Sequence, residues 1–351
     1  MPESLQTSDV IEDSPLVSLE ESFRPFCETE DRESFARIRH IFRNAHFYAP
    51  RAGQGTCLPS RDEVFGARPD CQIDLASVSG CLSSLPSLPT VVADLLRAID
   101  DEGNSTDTLA KKLAVDQAMV ARLLRVANSS FYGLQRKVIS VSDAIVVLGL
   151  GNVRNLILTV SVSNSLGASS TKAGAQSSAF WTHSIATAIC AEALAGRMRC
   201  NPESAFAAGL LHDIGQLVLA THYPQQREEV RRYRQRLDCH IFEAEQKVLG
   251  IDHAQIGEFL GKRWNFPLQL CTAIAGHHDP EVMNSDPLAC VVHLADAMVH
   301  ALDFADHEIE MMPRIYAPCW QQAALSWADC QAIFDEVELG VTKFSEMVGR
   351  V

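Results

Sequence analysis

The 351-residue chain carries 44 acidic against 30 basic residues, a formal charge of −14, with 47% hydrophobic and 21% charged residues. This describes a soluble globular protein with a sizeable core, long enough for two domains or for one with an extension. It disfavours a nucleic-acid partner, because phosphate binding needs a positive surface.

Residues 1–80 are rich in Ser, Pro, Asp, Glu and Arg and poor in periodicity. They read as a variable N-terminal extension, mostly irregular and partly disordered. The opening Met1–Val10 is polar and acidic, which is wrong for a secretory signal. One helix is expected over Glu30–His46, where Phe35, Ile38, Ile41, Phe42 and Ala45 recur at helical spacing. Pro50, Gly53, Gly55, Pro59 and Gly66 then make Tyr48–Pro69 a loop or linker.

From Leu85 the texture turns densely helical. Pro86 and Pro89 open a helix over Thr90–Ile99, Ser105-Thr106-Asp107 caps another over Leu109–Val115, and a third runs Gln117–Asn128. A turn at 129–133 leads to helices over Ser142–Leu148 and Asn152–Ser165. A Gly- and Ser-rich break at Gly167–Ser178 divides this half from the next. The second half predicts helices over Ala179–Arg197, Pro202–Thr221, Pro224–Leu237, Ile241–Leu249, His253–Trp264, Pro267–Gly276 and Pro287–Ala301, with a last one over Trp327–Val348. Asn201-Pro202-Glu203 is a strong helix start, with a cap, a proline at the first position and an acid at the positive dipole end. No alternating run supports a sheet, and no segment reaches the roughly 18 apolar residues that cross a bilayer. The fold class is all-α, with no membrane partner.

The eleven cysteines contain no Cys-x-x-Cys pair, and an odd number cannot be fully paired within one chain. Cys190, Cys239, Cys271 and Cys290 read as small buried hydrophobes in a reducing compartment, which points to the cytoplasm.

The chemistry-bearing signal is Gly209-Leu210-Leu211-His212-Asp213-Ile214-Gly215, an adjacent His-Asp pair in an apolar segment. Burying that pair costs several kcal/mol unless something compensates both groups. A divalent metal suits both. Read as mid-helix neighbours, His212 and Asp213 point about 100° apart, so one ion touches both only over the helix flank. His183 on the preceding helix and Asp296 on a later one complete a mixed nitrogen and oxygen set suited to iron, manganese or zinc. A second group, His253, His277 and His278, would let Asp213 bridge two ions roughly 3.5–4 Å apart. His222, His240, His293, His300 and His307 are assigned to ordinary solvated or hydrogen-bonded roles.

Two other features have plainer readings. Thr106–Asn128 imitates a helix-turn-helix with Arg122 and Arg125, but in this acidic chain it reads as helical packing. Arg227, Arg231, Arg232, Arg234 and Arg236 form a solvated helix face, paired locally with Glu228 and Glu229.

His183, His212-Asp213 and Asp296 resemble the ordered motif of the HD superfamily of metal-dependent phosphohydrolases. Leu88-Pro89, the run 123–133, Ala144–Gly149, Gly209–Gly215, Gly250–Gly257 and Trp264–Pro267 bring the resemblance closer to its HDOD subgroup, over about residues 82–302. It implies an all-helical HDOD domain at 81–302, with an N-terminal half at 81–166, an HD-like half at 179–302 and a C-terminal helical tail at 303–351. It also implies a bacterial signalling role whose hydrolase activity is usually unproven or absent. The related HD-GYP proteins hydrolyse cyclic di-GMP. Here Gln216 stands where they carry Lys, and Asp279-Pro280-Glu281-Val282 follows the His-His pair in place of Gly-Tyr-Pro. The missing Lys removes a cation that would hold a substrate phosphate.

Two expectations follow. The first is a regulatory protein that contacts signalling proteins, its His/Asp site binding one or two ions or a nucleotide second messenger; a homodimer is compatible with it. The second is a metal-dependent phosphohydrolase acting on a nucleotide or cyclic nucleotide, with Asp213 central to turnover.

Overall fold

The computed structural model describes residues 58–65, 72–82, 137–167, 174–237, 239–302 and 315–348, with a few positions between 120 and 128. These residues are helical, with no strand among them. The helices are α1 (Arg61–Phe65), α2 (Leu75–Leu82), α3 (Val141–Leu148), α4 (Leu150–Gly167) and α5 (Gly174–Ala195). They continue as α6 (Pro202–Leu211), α7 (Ile214–His222), α8 (Pro224–Leu237), α9 (Ile241–Leu249) and α10 (His253–Arg263). The last are α11 (Leu268–Gly276), α12 (Pro280–Ser285), α13 (Pro287–Leu302), α14 (Ala317–Ala323) and α15 (Trp327–Val348). The expected helix over 30–46 and those over 90–115 lie outside the described residues. No single described helix is long and apolar enough to cross a membrane.

The centre of the molecule is α6. Asn201 caps it by accepting from the Ser204 amide at 3.0 Å, and every residue from Ser204 to Leu211 is buried. A helix apolar on all sides must be surrounded, and α5, α11, α13 and α4 pack around this one. Two glycines set how closely. A Cβ on Gly209 would lie 2.7 Å from the Thr187 carbonyl oxygen of α5, and one on Gly215 would lie 1.9 Å from the His253 carbonyl oxygen at the start of α10. Backbone therefore meets backbone at both ends of the His212-Asp213 segment.

Four expectations change. The predicted helix over Pro202–Thr221 is broken at residues 212–213 into α6 and α7. The His212 Nδ1–H donates to the Gly209 carbonyl at 2.8 Å, taking the acceptor that the next helical N–H would use. The polar break shrinks, because α5 begins at Gly174. Part of the predicted loop 48–69 is helix α1, which packs on α8: buried Arg61 pairs with Glu229 at 3.2 Å, and the Tyr233 hydroxyl donates to the Pro59 carbonyl. Finally, Cys290 is not a free thiol. It is disulfide-bonded to Cys319, tying α13 to α14, whereas Cys190, Cys239 and Cys271 are buried as expected. The Arg-rich face of α8 is paired as read: Arg231 reaches Glu228 at 2.7 Å, and Arg232 reaches Glu229 at 3.3 Å.

Helices α4 and α5 meet through Asn155, whose amide donates to Glu192 at 3.2 and 3.3 Å. Burial pushes the Glu192 carboxyl up to about 6, the Asn155 amide opposing and the Glu336 and Glu203 charges adding to the rise. Because the folded-state value lies above the ordinary one, the folded protein holds the proton longer, and stability falls as pH rises from about 4.5 to about 6. Glu192→Gln should therefore stabilise the protein at pH 7.5, by about 1 kcal/mol once partial exposure is allowed for. The gain should vanish near pH 4.5 in paired thermal melts. Gly215→Ala is expected to destabilise by about 3 kcal/mol or more, measured by urea unfolding, since backbone rather than a flexible side chain blocks the new methyl.

Candidate metal centre

Two histidines of the cluster sit at helix ends and share one local device. His212 follows α6 and His277 follows α11, and each turns its Nδ1–H back to the carbonyl three residues earlier, Gly209 at 2.8 Å and Ile274 at 2.7 Å. A carbonyl can only accept, so Nδ1 carries the hydrogen and Nε2 is left pointing inward as the basic nitrogen. His253 reaches the same orientation differently. Asp252 caps α10, and the buried Glu245 carboxylate on α9 accepts from both the His253 backbone N–H at 2.9 Å and its Nδ1–H at 2.6 Å.

The Nε2 atoms converge on two carboxylates. Asp213 Oδ1 lies 3.1 Å from His253 Nε2 and 3.9 Å from His277 Nε2, and its Oδ2 lies 3.4 Å from His212 Nε2. Asp296, on α13, places Oδ1 3.1 Å from His183 Nε2 and 3.5 Å from His212 Nε2. His278 packs on the His277 ring at 3.9 Å between centroids and against His253 at 5.1 Å, with Phe242 stacked on it at 4.6 Å. All seven residues singled out in the sequence thus meet in one cluster drawn from α5, α10, α13 and the ends of α6 and α11.

The electrostatics are those of buried charges held by neighbours. Burial alone would raise Asp213, but the His212 and His253 imidazoles hold its carboxyl well below the usual range. Burial likewise opposes Asp296, and His300, His183 and His212 draw it well below that range. His253 is pushed well above its ordinary value, Glu245 and Asp213 outweighing burial. His277 falls to about 3 through burial and the nearby His212 and His253, and His278 falls well below its ordinary value through burial with His277 and His253. His277 and His278 are thus neutral beside ionised carboxylates, as metal ligation needs, whereas His212 and His253 are drawn upward by the carboxylates they face and would give up a proton to a bound ion.

The donor set fits a divalent ion. Nε2 of His212, His253 and His277 and Oδ1 of Asp296 are buried without a hydrogen-bond partner. Buried polar atoms are ordinarily satisfied, and ions bound within the cluster would supply the missing partners. Three groups of side chains are close enough to hold one: His253, His277 and His278; His183, His212 and Asp213; and His183, Asp296 and His300.

With this geometry established, the comparisons are specific. A family model for the HDOD domain matches residues 85–280. The chain belongs to the HDOD domain family. The crystal structure of an HDOD domain protein of unknown function from Geobacter sulfurreducens is 25% identical, with a TM-score of 0.62, over 78% of this chain and 97% of that one. A candidate signal transduction protein from Marinobacter aquaeolei VT8 shares the fold at a TM-score of 0.62 and 22% identity, over 90% of this chain and 65% of that one. An uncharacterized protein of Treponema pallidum (strain Nichols) is 26% identical over 249 residues, 68% of this chain, and the matched stretch is 46% of that relative's length.

In this HDOD protein, sequence reasoning missed two residues of the cluster. Glu245 is an acid on the apolar face of amphipathic α9, and that placement was the available signal. His300 lies one turn beyond Asp296 on the same face of α13, 3.3 Å from its carboxylate, yet it was grouped with ordinary histidines. His293 does belong among those: its Nδ1–H donates to the His277 carbonyl and its Nε2 accepts from the Tyr316 amide, so both nitrogens are used. Asp296 and His300 both lie beyond the residue at which the family match ends.

Glu245 holds a buried, charged imidazole in place. Glu245→Gln should cost about 2 kcal/mol of stability in metal-free protein, the worth of a charged hydrogen bond, read from denaturant midpoints.

Proposed function

We propose that this chain is a bacterial, cytoplasmic regulatory HDOD protein that works by contacting signalling proteins. Its His/Asp centre serves as a metal or nucleotide-ligand site rather than as a hydrolytic one. The observation that carries the reading is a contrast within one site. The inward-facing donors are complete, but the positions that would grip a phosphate are not: Gln216 follows Gly215, and 279–282 read Asp-Pro-Glu-Val. Phosphoryl transfer depends on fixed positive charge against the developing negative charge. The named side chains around Asp213 and Asp296 are imidazoles and carboxylates.

One feature favours the alternative of a phosphohydrolase acting on a nucleotide such as cyclic di-GMP. Asp213 faces His212 with one oxygen and His253 and His277 with the other, as a carboxylate shared between two ions does. Ions held there would polarise a phosphoryl oxygen and lower the pKa of bound water.

The test is anaerobic purification with metal analysis, followed by a broad nucleotide panel. Metal-loaded wild-type protein should turn over none of the panel, and His212→Ala with an intact fold should still co-purify the same signalling partners. Turnover abolished by Asp213→Asn would hand the site to the hydrolase reading.

A further inference from the structure

Helices α13 and α14 lie beyond the end of the family match and are joined by two rungs. One is the Cys290–Cys319 disulfide; the other is the Tyr316 backbone N–H, which donates to His293 Nε2 at 2.9 Å. Cys290 and His293 stand one turn apart on α13, while Tyr316 caps α14 and Cys319 lies in its first turn, so both rungs join the same two faces. The Tyr316 hydroxyl also donates to Asn284 Oδ1 at 2.8 Å, and Ile315, Trp320 and Ala323 are buried. From His293 the contact continues inward, its Nδ1–H donating to the His277 carbonyl at 2.9 Å. A helix of seven residues has little stability of its own, so these contacts decide whether α14 stays docked. Cysteines elsewhere are kept as thiols. Burial with the Asp286 charge pushes Cys200 up to about 11, and burial with the Asp329 charge pushes Cys330 up to about 12, which makes both poor nucleophiles at neutral pH. The pairing is specific to the α13–α14 seam.

We propose that Cys290–Cys319 is a reversible redox clasp: oxidised, it pins α14 on α13, and reduced by a dithiol it lets α14 leave. The proposal rests on the cytoplasmic placement above, because disulfides in that compartment are rare and those that form are commonly catalytic or redox-sensing. A thiolate of the reductant attacks Cys319 Sγ, the S–S bond breaks, and Cys290 leaves as a thiolate that takes up a proton. The reductant's second thiol attacks the mixed disulfide, releases Cys319 as a thiol and closes its own disulfide. Two electrons pass to the protein, and the two thiol protons end on Cys290 and Cys319. Cys290 is 2% and Cys319 0% exposed, so attack requires α14 to tilt outward first. Short elements open locally at low cost, so the bond is reached through the same movement that it restrains. Release then withdraws the Tyr316 donor from His293, the residue that holds the His277 carbonyl.

The experiment equilibrates full-length protein in dithiol/disulfide buffers of graded ratio, maps its thiols by alkylation and mass spectrometry, and follows hydrogen exchange in the oxidised and reduced states. Cys290 and Cys319 should interconvert reversibly with far-UV circular dichroism unchanged. Reduction should speed exchange at least tenfold in peptides covering 315–325, with a smaller rise over 277–284. Cys290→Ser/Cys319→Ser should exchange like reduced protein in every buffer. The wild-type comparison needs no substitution, so it decides even where that variant fails to fold. Exchange over 315–325 that reduction leaves unchanged, or a pair that is reduced only when the whole protein unfolds, would overturn the clasp. Thiol trapping in intact cells, with fractionation, separates the clasp from the compartment. A cytoplasmic protein whose pair stays oxidised under reducing growth overturns the clasp alone, and a protein recovered outside the cytoplasm overturns both.

Discussion

The half of this fold that carries the His/Asp cluster depends on the enclosure of two carboxylates, Asp213 with 16% and Asp296 with 4% of its side chain exposed. Both are held ionised in the interior, and an isolated buried carboxylate is untenable. The compensation comes from imidazoles on five different segments: His183 on α5, His212 after α6, His253 on α10, His277 after α11 and His300 on α13. The helices must therefore arrive in one arrangement. Displacing any of them strands a charge, and breaking a buried pair costs about 3–5 kcal/mol.

Helix ends make that arrangement accessible. The last carbonyls of a helix lack partners, and His212 and His277 use their Nδ1–H groups to satisfy one each. The same hydrogen bond that finishes the helix also selects the tautomer and turns Nε2 toward the carboxylates. Local capping and site assembly are thus one event. Glu245 performs the equivalent task for His253 from the opposite side, as carboxylates behind ligating histidines commonly do. Gly209 and Gly215 allow the backbones to approach closely enough for the shared imidazole–carboxylate distances to close.

Much of this was legible in the sequence, because periodicity and order in the chain carry it. The helices over 224–237, 241–249 and 327–348 lie where their apolar spacing puts them, and the seven site residues converge. What escaped depends on tertiary contacts that periodicity does not encode. The apolar run through 202–221 is helical on both sides of His212, so nothing in its pattern shows that an imidazole captures the Gly209 carbonyl and breaks it. Glu245 and His300 look like ordinary polar residues until α9 and α13 are seen to turn them inward. Cys290 and Cys319 stand 29 residues apart, and only the packing of α14 on α13 brings them together. That pair also weakens an inference of compartment drawn from cysteine usage alone.

The same energetics bear on how the centre should be read. Once two carboxylates and their imidazoles are buried together, replacing any one of them leaves the others uncompensated. A complete set of donors is therefore demanded by the fold itself, whether or not an ion bound there performs chemistry. Residue 216 and the segment 279–282 are under no such constraint. Gln216 is half-buried beside the cluster and Asp279 is exposed, and a Lys at 216 would not be needed to balance either carboxylate. Substrate-gripping groups are free to be absent where charge-balancing groups are not. Their identity is thus the more discriminating sign of catalysis.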